Sequence, residues 1–171
     1  MKTKTIKIYR FNELKKEIKE KVLKRFRENN DYYFLSEYLN EMLKEELKKY
    51  KIEDLGKTEL RYSLGNCQGD GLSFIGLFRW KGYLINIEMG NLSNLYTHSK
   101  TTNIYINKDN SEIEAGADIY KKFESVYFKI CDILEKEGYK FIENEDSNET
   151  IKENILLNDY YFRETGEIEK L

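Results

Sequence analysis

The sequence predicts an α+β fold, with an antiparallel sheet of about five strands packed against two to four helices. Three observations predict it. Apolar residues recur at helical spacing in segments near residues 13–28, 34–50 and 113–138. Between residues 58 and 107 they alternate with polar ones in short runs. Turn signals such as Gly65-Asn66, Gly69-Asp70-Gly71, Lys81-Gly82 and Gly90-Asn91 separate those runs, as in a meander. No linker, repeat or low-complexity stretch interrupts the chain, so residues 1–171 read as a single α+β domain.

Thr3 to Phe11 alternates weakly and predicts a strand. Asn12 is placed to cap a helix over 13–28, whose stripe is Leu14, Ile18, Val22 and Phe26. A second helix runs from about Phe34 to Tyr50 on Leu35, Leu39, Leu43 and Leu47, with Gly56 after it. Strands follow at Leu60–Leu64, Leu72–Trp80, Tyr83–Met89, Tyr96–Ser99 and Thr102–Asn107. Ser111-Glu112-Ile113-Glu114 fits a capping box. It opens the longest helix, which carries Phe123, Tyr127, Ile130 and Leu134 toward the sheet and ends at Gly138. Tyr139–Ile142 reads as an extended link. Ser147 or Asn148 caps a brief helix with Ile151 and Ile155, and the end of the chain reads as a strand or hairpin.

Composition excludes several classes. Disorder does not fit a chain that is 40% hydrophobic and 14% aromatic. No apolar run is long enough to span a membrane, and the start lacks a secretory signal core. Two distant cysteines, Cys67 and Cys131, fit a reducing cytosol. With one histidine they cannot build a Cys/His zinc site, so neither metal nor cofactor is expected.

The net charge of -2 conceals an asymmetry. Residues 1–57 hold 16 Lys/Arg against 11 Asp/Glu, residues 58–107 hold 4 against 3, and residues 108–171 hold 9 against 17. The basic helix 13–28 has Glu13, Glu17, Glu20 and Glu28 interleaved, which marks a solvated face. Direct nucleic-acid binding is not expected from it. The acidic cluster Glu143, Glu145, Asp146, Glu149 and Glu153 is a candidate partner surface that mimics phosphates. Solubilising charge is the plainer reading of the same residues.

The sharpest feature is Tyr62-Ser63-Leu64-Gly65-Asn66-Cys67-Gln68-Gly69-Asp70-Gly71-Leu72-Ser73-Phe74. Glycines at this density permit positive φ and close backbone approach. Successive N–H groups in such a turn can cradle an anion. It is neither a P-loop nor a dinucleotide fingerprint, because no Lys-Ser/Thr follows and no helix opens after it. As a plain structural element it is a glycine-rich strand connection. His98 is the only histidine, a candidate base or ligand contact if it meets that loop, and otherwise a histidine at a strand end.

These motifs carry a resemblance. The chain resembles small phage- and prophage-borne proteins that open as Y-x-F-x-E-L-x-x-x-x-K-x-K, continue with Y-S-L-S-x-x-Q-G-D-G-x-S-F and Y-x-H, and close with N-D-Y-x-F-x-x-x-G. The matching residues are Tyr9, Phe11, Glu13, Leu14, Lys19 and Lys21, then Tyr62 to Leu64, Gln68 to Gly71, Ser73 and Phe74, then Tyr96 and His98. Asn158, Asp159, Tyr160, Phe162 and Gly166 complete them. Gly65 stands where that family carries Ser, and Cys67 occupies a variable position. The family has no assigned reaction. The resemblance implies a phage accessory protein acting in the cytoplasm of a bacterial host cell.

The leading expectation is a non-catalytic inhibitor that binds a bacterial host-defence component, anti-CRISPR-like or similar. Its contact candidates are Tyr62, Gln68, Asp70, Ser73, Phe74 and His98, or the acidic cluster. A nucleotide sponge using the Gln68–Gly71 loop, and a phosphoester hydrolase using His98 and Asp70, are the alternatives. The hydrolase lacks a second histidine and paired acids, so an enzyme is the less expected outcome. A protein target, a nucleotide ligand and a homo-oligomer are the partners left open, and no membrane is expected.

Overall fold

A computed structural model of the chain describes residues 6–90, 97–108 and 115–169. In chain order the elements are β1 (Tyr9–Arg10), α1 (Lys16–Glu28), α2 (Leu35–Lys49), β2 (Glu53–Asp54), β3 (Glu59–Ser63), β4 (Gly71–Trp80), β5 (Tyr83–Met89), β6 (Thr102–Lys108), α3 (Ala117–Glu145), α4 (Asn148–Leu157), β7 (Tyr161–Phe162) and β8 (Ile168–Glu169). The fold is α+β, with a five-stranded antiparallel sheet and a smaller three-stranded one. The chain divides into two compact units. One is residues 34–140; the other joins residues 1–33 to residues 141–171. Neither boundary is marked by a linker composition, which is why the sequence reads as one domain.

In the unit of residues 34–140, β4 organises the sheet. Its first half pairs β3, with Leu60 opposite Phe74 and Tyr62 opposite Leu72. Its second half pairs β2 and β5, with Phe78 opposite Ile85, and β5 pairs β6, with Ile87 opposite Ile104. Period-two alternation puts Phe78, Ile85, Ile87, Ile104 and Ile106 on one buried face. The α3 stripe supplies the other side of this core, as its spacing predicts. The Phe74 and Tyr127 rings lie 4.7 Å apart and the Trp80 and Phe123 rings 5.4 Å apart. Burying each such side chain contributes roughly 1.5–3 kcal/mol. The opposite face carries Asn86, Glu88, Asn103 and Tyr105, and Tyr105 is 51% exposed.

The second unit closes the ends of the chain on each other. Tyr9 pairs Phe162 between β1 and β7, and β7 pairs β8. Phe11, Leu14, Val22 and Leu23 share a core with Ile151, Ile155 and Phe162. The charge asymmetry is largely internal to this unit. Residues 1–33 hold 11 Lys/Arg against 5 Asp/Glu, and residues 141–171 hold 3 against 9, so the unit is neutral. Arg10 meets Asp159 at 3.4 Å and Lys15 meets Glu164 at 3.7 Å. Such exposed pairs are individually weak, because solvent screens them. They nonetheless show that the basic start and the acidic end complement each other.

Several elements differ from the sequence expectation. The helix predicted from residue 13 begins at Lys16, because Phe11–Glu13 forms a tight 3-10 turn with Phe11 buried. Of the strand predicted over 3–11, residues 3–5 lie outside the described residues, and among those described the strand spans Tyr9–Arg10. Ser99–Thr101 is a 3-10 turn rather than the end of a strand, and Tyr96 lies outside the described residues, as does the capping box at 111–114. The short β2 has no period to announce it.

The largest correction concerns Gly138, read from sequence as the end of a helix. The helix α3 continues through it to Glu145, and Tyr139–Ile142 are helical. Gly138 is there for space. A Cβ at that position would sit 2.5 Å from Leu64 Cδ1 and 3.5 Å from a Leu39 methyl. The glycine lets α2 and the end of β3 approach the helix backbone. Among the described residues, no helix is long and apolar enough to cross a membrane.

Candidate functional site

The loop between β3 and β4 is closed by its own aspartate. Ser63 and Gly71 are the last paired residues, and the Asp70 N–H donates to the Cys67 carbonyl at 3.2 Å. Asn66 and Gly69 take positive φ, +58° and +97°, to turn the chain. The Asp70 carboxylate then gathers donors from three stretches of chain. Ser63 Oγ donates to Oδ1 at 2.9 Å, the Cys67 N–H donates to Oδ2 at 2.8 Å, and the Tyr139 hydroxyl donates to Oδ2 at 3.0 Å. These bonds favour the charged form. The Cys67 N–H is the largest cause holding the carboxyl below its ordinary value, with Ser63 and Tyr139 adding to it against partial burial. Burial first, then the hydrogen bond to Asp70 and its charge, push the Tyr139 phenol up to about 12.

His98 lies against this hairpin. A Cβ on Gly71 would meet His98 Cα and Cδ2, each at 3.0 Å, so the missing side chain makes room for the histidine. His98 caps the Ser99–Thr101 turn. Its Nδ1 accepts from the Lys100 N–H at 3.1 Å, and its carbonyl accepts from Thr101 Oγ1 at 2.7 Å. With Nδ1 as acceptor, the neutral ring carries its proton on Nε2.

The structure thus brings Asp70 and His98 into one patch, but not all the sequence candidates. Ser73 and Phe74 are fully buried; Phe74 belongs to the core, and Ser73 Oγ is a buried hydroxyl with no partner. Neither offers surface to a ligand. Tyr62 is half-buried on β3, and Gln68 is exposed at the tip beside the free thiol of Cys67.

Two residues of the patch escaped sequence reasoning. Tyr139 clamps the loop, and Glu135, one turn earlier on α3, is half-buried with its carboxyl pushed up. Burial is the main cause, Asp132 and Asp70 add to it, and His98 opposes it. Glu135 and Tyr139 stand at i and i+4, the helical signal for a shared face. A helix stop at Gly138, as the sequence predicts, separates the two.

The acidic cluster divides in the same way. The Asp146 carboxylate accepts from the Tyr32 hydroxyl at 2.8 Å and from Asn30 Nδ2 at 3.3 Å, while Arg27 Nε donates to the Asp146 carbonyl at 2.9 Å. Burial and Asp146 raise the Tyr32 phenol to about 12. Asp146 is therefore an internal tether. Glu143, Glu149 and Glu153 remain exposed, Glu145 is half-buried, and Ser147 Oγ caps α4 by accepting from the Thr150 N–H.

Among the described residues, no group of three or more His, Cys, Asp or Glu is placed to hold a metal ion. No family model, curated protein or solved structure matches this chain.

Proposed function

We propose that the protein is a non-catalytic binding protein that presents the clamped β3–β4 hairpin to a protein partner. On the resemblance of its motifs to phage-borne proteins, that partner is a component of bacterial host defence and the binding inhibits it. The observation that carries the reading is the state of Asp70. Both of its oxygens are committed to Ser63, Cys67 and Tyr139, so the acid of the motif shapes the loop instead of serving as a base. What the clamp leaves outward is a tip of Asn66, Cys67 and Gln68, all exposed. A loop fixed by a rigid scaffold and bearing exposed polar groups is a common recognition element.

The test uses phage carrying this gene on a defended bacterial strain, with capture of the host target by the tagged protein. Wild type restores plating, and Gln68→Ala reduces both plating and capture at least tenfold, by roughly the energy of one interface contact. Equal protection by Gln68→Ala and by a variant with the tip residues 66–68 replaced would overturn the proposal. So would no protection by the wild type in any defended strain.

A further inference from the structure

We propose that the β3–β4 loop is an anion-binding cradle that carries its own ligand: Ser63 Oγ, the Cys67 N–H and the Tyr139 hydroxyl form a carboxylate site, and Asp70 fills it. The donors come from the end of β3, from the turn and from α3, more than seventy residues further on. Tertiary structure therefore builds the site, and local turn geometry alone does not. Each donor points at a carboxylate oxygen within hydrogen-bond range, as successive donors do around bound anions.

The arrangement also states which anion fits. One donor serves Oδ1 and two serve Oδ2, which suits a flat ligand with two oxygens. A tetrahedral phosphate has a third and fourth oxygen for which these donors leave no partner. No Lys or Arg is among the three donors, so the site is neutral and its affinity for a free anion is weak. Asp70 is only half-buried, so solvent reaches the cradle and an anion can exchange into it once the internal one is gone. This inference is independent of any partner, because its readout is the stability of the isolated chain.

Asp70→Ala keeps Cβ and removes a carboxylate the size of formate. The variant melts lower than wild type by about 3–6 °C, as expected for the loss of a partly solvated hydrogen-bonded carboxylate in a chain of this size. Added sodium formate at a few hundred millimolar recovers at least half of that loss, through mass action on the folded state. Equal concentrations of sodium chloride or phosphate recover clearly less, and formate shifts wild type no more than chloride does. An Asp70→Ala variant as stable as wild type, or one for which formate does no better than chloride, would overturn the proposal. If Asp70→Ala fails to fold, Ser63→Ala and Tyr139→Phe replace it. Each should raise the Asp70 titration midpoint, followed by carbon NMR of its carboxyl. Midpoints unchanged in both variants would overturn the proposal equally.

Discussion

The hairpin of residues 63–71 and the acidic stretch of residues 143–153 are the two regions that the sequence marks for a partner, and they use one aspartate each in similar ways. Asp70 is held by Tyr139 and Asp146 by Tyr32, and in both pairs the phenol is driven up to about 12. The difference lies in what else is held. Asp70 also takes a backbone N–H and a serine, and so fixes the path of a whole loop. Asp146 takes one further side-chain amide and leaves Glu143, Glu149 and Glu153 in solvent. The first region is a shaped element; the second is a charged surface in a unit whose basic residues already balance it. Of the two, the hairpin is the one whose shape is held by side chains.

The largest effects should come from two tightly packed glycines, Gly71 at the end of the hairpin and Gly166 against α1 in the unit that carries the acidic stretch. Gly71→Ala drives a Cβ to 3.0 Å from the His98 backbone, and Gly166→Ala combines a φ of +87° with a Cβ 2.9 Å from Ile18 Cγ2. Each should cost about 1–3 kcal/mol by urea unfolding, with Gly71→Ala also shifting the His98 ring resonances. Loss of less than about 0.5 kcal/mol in either would show that the packing is looser than described.

Next come the clamps. Asp70→Asn should cost about 1–2 kcal/mol, reduced from a buried value because the group is partly solvated, and Asp146→Asn should cost less than about 1 kcal/mol. The reverse order would break the comparison. The pH dependence sharpens it. Asp70 has a lowered folded pKa, so its stabilisation is present above the unfolded value of about 3.9 and is lost as pH falls through the folded pKa below it. Glu135 has the opposite sign. Its raised carboxyl favours the fold at low pH and opposes it as pH rises past the unfolded value of about 4.3, so Glu135→Gln should slightly raise the melting temperature at pH 7. The smallest effect belongs to Gly65→Ser. Gly65 has no positive φ, and its Cβ would make an ordinary 3.4 Å contact with Cys67 Sγ. Its stability should stay within about 0.5 kcal/mol of wild type.

The contrast also explains what the sequence could reveal. Periodicity located α2, the sheet strands and the face of α3 because each buries a regular stripe, from Leu35 to Leu47 and from Phe123 to Leu134. The loop announced itself through its glycines and Asp70. Its clamp did not, because Tyr139 is distant in sequence and sits beyond a glycine that reads locally as a stop. Only the close approach of Leu64 and Leu39 to Gly138 shows that the glycine serves packing. The pairing of the two chain ends was likewise invisible, since β1 and β7 are two residues each and carry no period. The acidic third looked free because charge counts along a chain do not show that Arg10, Lys15 and Arg27 fold back toward it.

Amide hydrogen exchange at Cys67 tests the central claim most directly. The Cys67 N–H lies in an exposed loop and donates to the Asp70 carboxylate alone among the bonds described. It should be protected in the wild type and exchange at least tenfold faster in Asp70→Ala, which leaves no side-chain acceptor, while the β4 and β5 amides of Phe78 and Ile85 keep their rates. Equal exchange at Cys67 in the two proteins would contradict the account.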